Sequence, residues 1–318
     1  MKSRIESNLK EAKVLLESGE LVAIPTETVY GLAANAFQAD AVIQIFETKN
    51  RPHFDPLIVH VAGIEGVSEV VAETPPVALK LMQTFWPGPL TIVLRKSSKI
   101  PDIVTSGLDT VGVRMPDHDL TLELLRSLDF PLAAPSANPF GYISPTSAQH
   151  VAKQLGDRIP YILDGGICSV GVESTIIDCT AQTPVVLRLG GTTVEQITEA
   201  IGLVEVNTTS SSAPQAPGMT LSHYAPRKPM YIGSIQNLMQ QIKGDVSVLS
   251  FQDSYPNYRN IRLSETGDLK EAARNLFSAM RTLDADPGRI IIGEWVPDEG
   301  LGRAINDRLR RAATNEDN

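Results

Sequence analysis

Apolar positions along this chain recur in two periods. Ile5, Leu9, Ala12, Leu15 and Leu16 fall at helical spacing, and Gly19 closes the run. A second helix is expected from Asp40, with Val42, Ile45 and Phe46 on one face, ending just before Pro52. Short apolar runs between turn residues predict strands over 21–24, 57–61, 90–94, 111–115, 132–134, 161–163, 175–179 and 185–189. Helices are expected over 75–85, 119–127, 146–155 and 192–201. Strands and helices mixed in this way predict an α/β sheet domain over residues 1–205.

The pattern breaks near residue 205. Residues 207–218 are Thr, Ser, Ala, Gln and Pro with no apolar periodicity, which marks a linker. The stretch that follows, to Pro229, carries His223, Tyr224, two prolines and the basic pair Arg227-Lys228. Residues 206–229 are therefore expected to be a linker that doubles as a lid; the alternative is a tether whose Tyr224 packs on the second domain. From residue 230 strand and helix alternate: strands over 230–232, 246–251 and 290–292, helices to about 243, over 267–283 and from about 300. A small Rossmann-like domain over 230–318 is expected. It lacks the GxGxxG fingerprint, which argues against dinucleotide binding there.

At 318 residues there is room for two domains, and 42% hydrophobic with 20% charged residues describes a globular chain. No apolar run reaches the ~18 residues of a membrane span, and the N-terminus lacks the apolar core of a signal peptide, so a cytoplasmic location with no membrane partner is expected. Cys168 and Cys179 match no zinc or redox spacing and are expected as free thiols. The whole net charge of −9 falls in residues 1–205. An acidic first domain argues against indiscriminate phosphate-backbone binding and makes its few bases informative.

No P-loop, HExxH, GxSxG or kinase signature is present, so any ATP must be held by scattered loops. The densest candidate is Pro25-Thr26-Glu27-Thr28-Val29-Tyr30-Gly31, where a strand breaks into a hydroxyl-rich loop and Gly31 permits a sharp turn. An ordinary connection with Thr28 as a helix cap fits that segment equally well. Lys49 and Arg51 stand two apart; in extended backbone they would converge, partly solvated, on one anion, whereas at a helix end they would merely offset the macrodipole. Thr110 and Arg114 share a strand face, with Gly112 between them leaving space for a ligand and Arg114 able to fork onto a carboxylate. His60 ends an apolar strand, as a core residue or a contact. Ser136, Asn138 and Ser144 lie in a polar loop, where Ser144 could equally start a helix.

Taken in order, the Thr26–Gly31 segment, Lys49-Asn50-Arg51-Pro52, Ser136-Ala137-Asn138 and Gly171-Val172-Glu173-Ser174-Thr175 resemble the threonylcarbamoyl-AMP synthase family, the Sua5/YrdC group. The resemblance is dense over roughly residues 10–200, and the tail resembles the family's additional C-terminal domain. It implies a twisted, open, mixed YrdC-like sheet with helices, followed by that small domain. It further implies synthesis of L-threonylcarbamoyl-AMP and pyrophosphate from L-threonine, bicarbonate and ATP, with Mg2+ on the phosphates, feeding a downstream transferase that makes t6A at position 37 of tRNA. A transient tRNA contact belongs to the same expectation. Carried over residue by residue, Lys49 and Arg51 are catalytic and hold ATP together with Asp55, Thr110, Ser136, Asn138, Ser144, Arg188 and Tyr224. Threonine falls to Thr28, His60, Arg114, the Ala134 backbone and Ser174. Phe140 and Leu189 depart from the family's usual small polar residue and proline. Two other classes fit less well: a non-catalytic double-stranded RNA or tRNA-binding module, against the acidic charge, and a carbamoyl-transfer maturation factor, against the lack of CxxC pairs.

Overall fold

The computed structural model describes residues 2–209, 217 and 223–314. Its first part comprises strands β1 (Arg4–Glu6), β2 (Val22–Ile24), β3 (Gly31–Asn35), β4 (Ile58–His60), β5 (Leu90–Arg95), β6 (Thr110–Arg114), β7 (Leu132–Ala133), β8 (Tyr161–Leu163), β9 (Thr175–Asp178), β10 (Val185–Arg188) and β11 (Glu205–Val206). Helices α1 (Leu9–Glu17), α2 (Ala39–Lys49), α3 (Pro76–Phe85), α4 (Asp102–Thr105), α5 (Asp119–Ser127), α6 (Ala148–Leu155) and α7 (Val194–Ile201) connect them. The strands form one mixed sheet in the order β1-β8-β2-β3-β7-β4-β6-β5-β9-β10-β11.

Two apolar layers sandwich this sheet. One joins Val42, Ile45 and Phe46 of α2 to Val59, Val113 and Ile162. The other joins Ala12 and Leu16 of α1 to Leu124 and Leu125 of α5 and to Val22 and Tyr161. The pleat therefore carries apolar residues on both faces of the central strands, as a sheet covered on both sides requires.

Three local expectations are corrected. Ile5 does not open the first helix: Arg4–Glu6 pairs parallel with β8, and the helix starts at Leu9, directly after the N-cap Asn8, whose side chain accepts from the Lys10 and Glu11 amides. Gly31 makes no turn; it begins β3, which runs antiparallel to β2. The Lys49–Arg51 backbone is not extended, because Lys49 is the last residue of α2 and Asn50 turns left-handed at φ 51.

The second part holds β12 (Met230–Ile232), α8 (Ile235–Gln241), β13 (Val246–Ser250), β14 (Arg259–Arg262), α9 (Leu269–Ala285), β15 (Ile290–Gly293) and α10 (Leu301–Ala312). Its sheet, β12-β15-β13-β14, is parallel throughout. Edge strand β14 escapes the hydrophobic pattern because Arg259 and Arg262 leave it only Ile261 to bury. The two parts share a core: Val29, Ile143 and Val172 pack with Tyr224, Phe277 and Ile305. Gly171 makes that approach possible, since a Cβ there would sit 2.4 Å from the Arg274 Cα of α9.

Candidate active site

Parallel pairing of β4 with β6 sets His60 opposite Arg114 at the carboxyl ends of both strands. In open α/β sheets such ends hold ligands. A cavity of about 50 Å³ begins there. Thr28, Arg51, His60, Arg114, Ala134, Ser136, Ser174, Arg188 and Tyr224, all expected at the site, line it. They come from separate segments that the fold ties together: the Tyr30 amide donates to Pro145 O at 2.8 Å, the Ala137 amide to Tyr30 O at 2.8 Å, and the Ala134 amide to Ile58 O at 2.9 Å.

Five expected residues do not line the cavity. Lys49 stands behind it, almost wholly buried, its Nζ donating to the Ser136 and Asn138 carbonyls. Burial, then neighbouring Arg51, hold its pKa well below the usual lysine value. Asp55 pairs with Arg51, Oδ2 to Nη2 at 2.9 Å, while Arg51 Nε and Nη2 also donate to Asp55 O and Pro56 O. Asn138 spends its amide on Pro139 O and Tyr142 O at 2.9 and 2.8 Å. Ser144 donates to Glu173 Oε1 at 2.6 Å. Thr110 lines a smaller neighbouring cavity that shares Ile58 and Pro217 with the first. Gly112 lines the same small cavity, with Thr91 close by: its Cγ2 would lie 3.1 Å from an added Cβ.

Lys49 and Arg51 are thus not the partly solvated charges expected. Both are buried, and both fasten backbone as well as offering charge.

Arg114 meets Glu27 at 2.6 Å, a pair closed by distance, with neither Glu27 oxygen taking an aligned hydrogen bond among the described residues. Its Nε donates to Gly88 O at 3.3 Å. His60 keeps a free Nδ1 among the described residues, and burial, helped by Arg114, pushes its pKa down to about 3, so the imidazole is neutral. Ser174 Oγ bonds Thr91 Oγ1 at 2.8 Å and accepts from Arg188 Nη2 at 3.1 Å. Arg188 also holds Ser174 O through Nε and Nη2, and Pro217 O through Nη1 at 3.0 Å. Thr28 Oγ1 lies 2.9 Å from Thr26 Oγ1. These hydroxyls and cations are fixed in place before any ligand arrives, which is what differential binding to a charged transition state requires.

Several lining residues were given no role by the sequence: Thr26, Glu173, Pro217 and His223. Thr26 and Glu173 sit inside quoted motifs, so the signal was adjacent to residues already chosen. His223 is buried between Phe140, whose ring it meets edge-on at 5.8 Å, and Tyr224 at 4.1 Å. Burial first, then Arg51 and Lys49, hold it neutral. Phe140 also lies 5.9 Å under the Arg51 guanidinium, so the unusual loop-tip residue bridges the Lys49–Arg51 turn and the crossing segment. Of the expected lid, residues 210–216 and 218–222 lie outside the described residues. Tyr224 lines the cavity and also stacks on Phe277 of α9 at 5.5 Å, the packing on the second part that the tether reading expects.

A family model described as Telomere recombination, covering the Sua5, YciO and YrdC proteins, matches residues 14–190. A second, described as Threonylcarbamoyl-AMP synthase, C-terminal domain, matches residues 192–314. The chain belongs to the Sua5/YrdC family of threonylcarbamoyl-AMP synthases. A threonylcarbamoyl-AMP synthase of Pyrococcus abyssi is 42% identical over 98% of this chain and 96% of its own length. One from Bacillus subtilis is 43% identical over 97% of this chain and 93% of its own. The crystal structure of P. abyssi Sua5 complexed with L-threonine superimposes with a TM-score of 0.92 at 40% identity, covering 98% of this chain and 97% of that one. The synthase family's two-part architecture therefore runs through the whole described chain. Among the described residues no helix is long and apolar enough to cross a membrane.

Proposed function

We propose that this cavity joins L-threonine, bicarbonate and ATP into L-threonylcarbamoyl-AMP, releasing pyrophosphate. The chain is a nucleotidyltransferase of the synthase family, and the likeness to a threonine-bound Sua5 supports threonine and ATP as its substrates. The observation that carries the residue roles is the meeting of Arg114, Thr28, His60 and Ser174 on one cavity with Arg51 and Arg188. In this reading Arg114 takes the threonine carboxylate, Thr28 and Ser174 take its polar groups, and neutral His60 faces it without adding charge.

Threonine's amine adds CO2 from bicarbonate to give a carbamate. The carbamate oxygen attacks the α-phosphorus of ATP in line with the departing pyrophosphate. Arg51, Arg188 and, through the loop it ties, Lys49 neutralise the charge that builds on the phosphates. Mg2+ would arrive with ATP: among the described residues no three His, Cys, Asp or Glu side chains converge, a donor set that fits a metal carried by phosphate oxygens. A cavity of about 50 Å³ is far below the roughly 300–1,000 Å³ of small-molecule sites, so its walls must open further to admit both substrates. The product's acyl phosphate is activated for transfer, which suits a cytoplasmic partner that acylates tRNA to t6A, with a transient tRNA contact at hand-over.

Pyrophosphate release measured with ATP, threonine and bicarbonate, omitting each in turn, tests the reading. Release that continues without threonine or without bicarbonate would sink it.

A further inference from the structure

Among the described residues the largest fully buried side chain is Arg308, on α10 of the second part. Its contacts nearly all lie elsewhere. Nε donates to Glu173 Oε2 at 3.0 Å, and Nη1 donates to Leu189 O at 2.6 Å and to Asp307 Oδ2 at 3.0 Å. The guanidinium carbon lies 5.3 Å from the Tyr224 ring centroid. The other Glu173 oxygen accepts from Ser144 Oγ at 2.6 Å. Glu173 and Tyr224 face the cavity, and Arg308 stands directly behind both.

We propose that Arg308 is a positioning residue for the nucleotide, acting on one side through Glu173 and Ser144 and on the other through Tyr224. The proposal rests on the nucleotide roles given above to Ser144 and Tyr224. It makes the second domain part of the site's working wall, beyond an anchor for the crossing segment.

Two physical arguments support it. Glu173 is buried, and an ionised carboxylate in such a place is tolerated only when a cation and hydrogen bonds meet it. Its cation comes from 135 residues further along the chain. Without Arg308, Arg188 is the guanidinium left beside Glu173 on the cavity wall; capture by Glu173 would take it from Ser174 and from any phosphate. The second argument concerns Tyr224, whose φ of 64 places a bulky residue in the left-handed region. That conformation is strained for a side chain of this size and persists only where the surroundings impose it. Arg308 on one side and Phe277 on the other form that vice.

The test is steady-state pyrophosphate release by the full chain, with KM for ATP and for threonine measured separately. Arg308→Met is expected to raise the ATP KM about tenfold or more and leave the threonine KM within about twofold. Glu173→Gln should raise the ATP KM as well, and the double variant should be no worse than the worse single, because both act along one path. Arg303→Ala, which breaks an exposed ion pair with Glu195 across the same interface, should change neither KM. Should Arg308→Met fail to fold, Arg308→Lys decides: it keeps the charge but cannot reach Glu173 and Leu189 O together, and a rise of about threefold in ATP KM is expected. An unchanged ATP KM in the folded Met or Lys variant, or effects of the two singles that multiply, would overturn the proposal. If the unaltered chain shows no release dependent on ATP and threonine, the functional reading fails instead.

Discussion

Glu27 and Arg114 form a buried ion pair, Oε2 to Nη2 at 2.6 Å, with side chains 3% and 5% exposed. The cation proposed to grip the substrate carboxylate therefore already neutralises a carboxylate of the fold. Binding and folding pull on the same guanidinium, and substitutions can separate them. Arg114→Met should abolish threonine-dependent release and destabilise the protein by about 3–5 kcal/mol, the usual penalty for stranding a buried charge. Adding Glu27→Gln should recover most of that stability in urea titrations and none of the activity. Recovery of both together would show that Arg114 serves the fold alone.

Lys49 and Arg51 repeat the theme. Lys49→Ala leaves the Asn138 carbonyl without its donor, at about 1–3 kcal/mol for a buried group stranded, while the Ser136 carbonyl keeps the Asn138 amide. Arg51→Ala leaves Asp55 unpaired in a fully buried place. Both variants should lose turnover and melt at clearly lower temperature. Melting curves that overlay the parent's would mean that neither side chain supports the fold.

How legible the site was in the sequence follows from those same residues. The motifs placed Lys49 and Arg51 beside the cavity because their types and spacing survive translation into any backbone. Their burial was illegible, because it depends on Asn50 turning left-handed and on the loop at residues 136–140 closing over α2, contacts made some 90 residues away in sequence. Strands β4, β6 and β8 announced themselves as apolar runs between turn residues. Strands β1 and β14 did not: an edge strand pairs on one side only and its polar residues erase the pattern. Glu27 and Glu173 stood inside recognised motifs and went unassigned, since each works by neutralising an arginine from a distant segment that no local pattern names.

Acid should weaken the fold through His60. Its folded pKa is lowered to about 3 against an unfolded value near 6.5, so the unfolded chain binds a proton over that window and the folded chain does not. The contribution is fully present above about pH 6.5 and is lost as pH falls toward 3. At pH 5 the loss for one such group is about 2 kcal/mol. His150, lowered to about 4 by burial, adds a similar slope. Urea midpoints taken from pH 7.5 to 5 should fall, and His60→Asn, if folded, should flatten the dependence. A midpoint that rises on acidification would contradict the neutral imidazole.

Serine should be a poorer substrate than threonine. It offers the same carboxylate, amine and hydroxyl to Arg114, Thr28 and Ser174 but leaves a methyl-sized gap, worth about 1–3 kcal/mol in kcat/KM. Equal rates at subsaturating concentrations would remove the threonine pocket from this cavity.

The pairing of Arg308 with Glu173 also imposes an order in time. On the ribosome Glu173 emerges 135 residues ahead of its cation, which at about 5–20 residues per second is roughly 7–27 seconds. Strands β9, β10 and β11 are completed within that interval, while the carboxylate still lacks its cation. The ion pair on the cavity wall is therefore formed only once the last helix, α10, has been made.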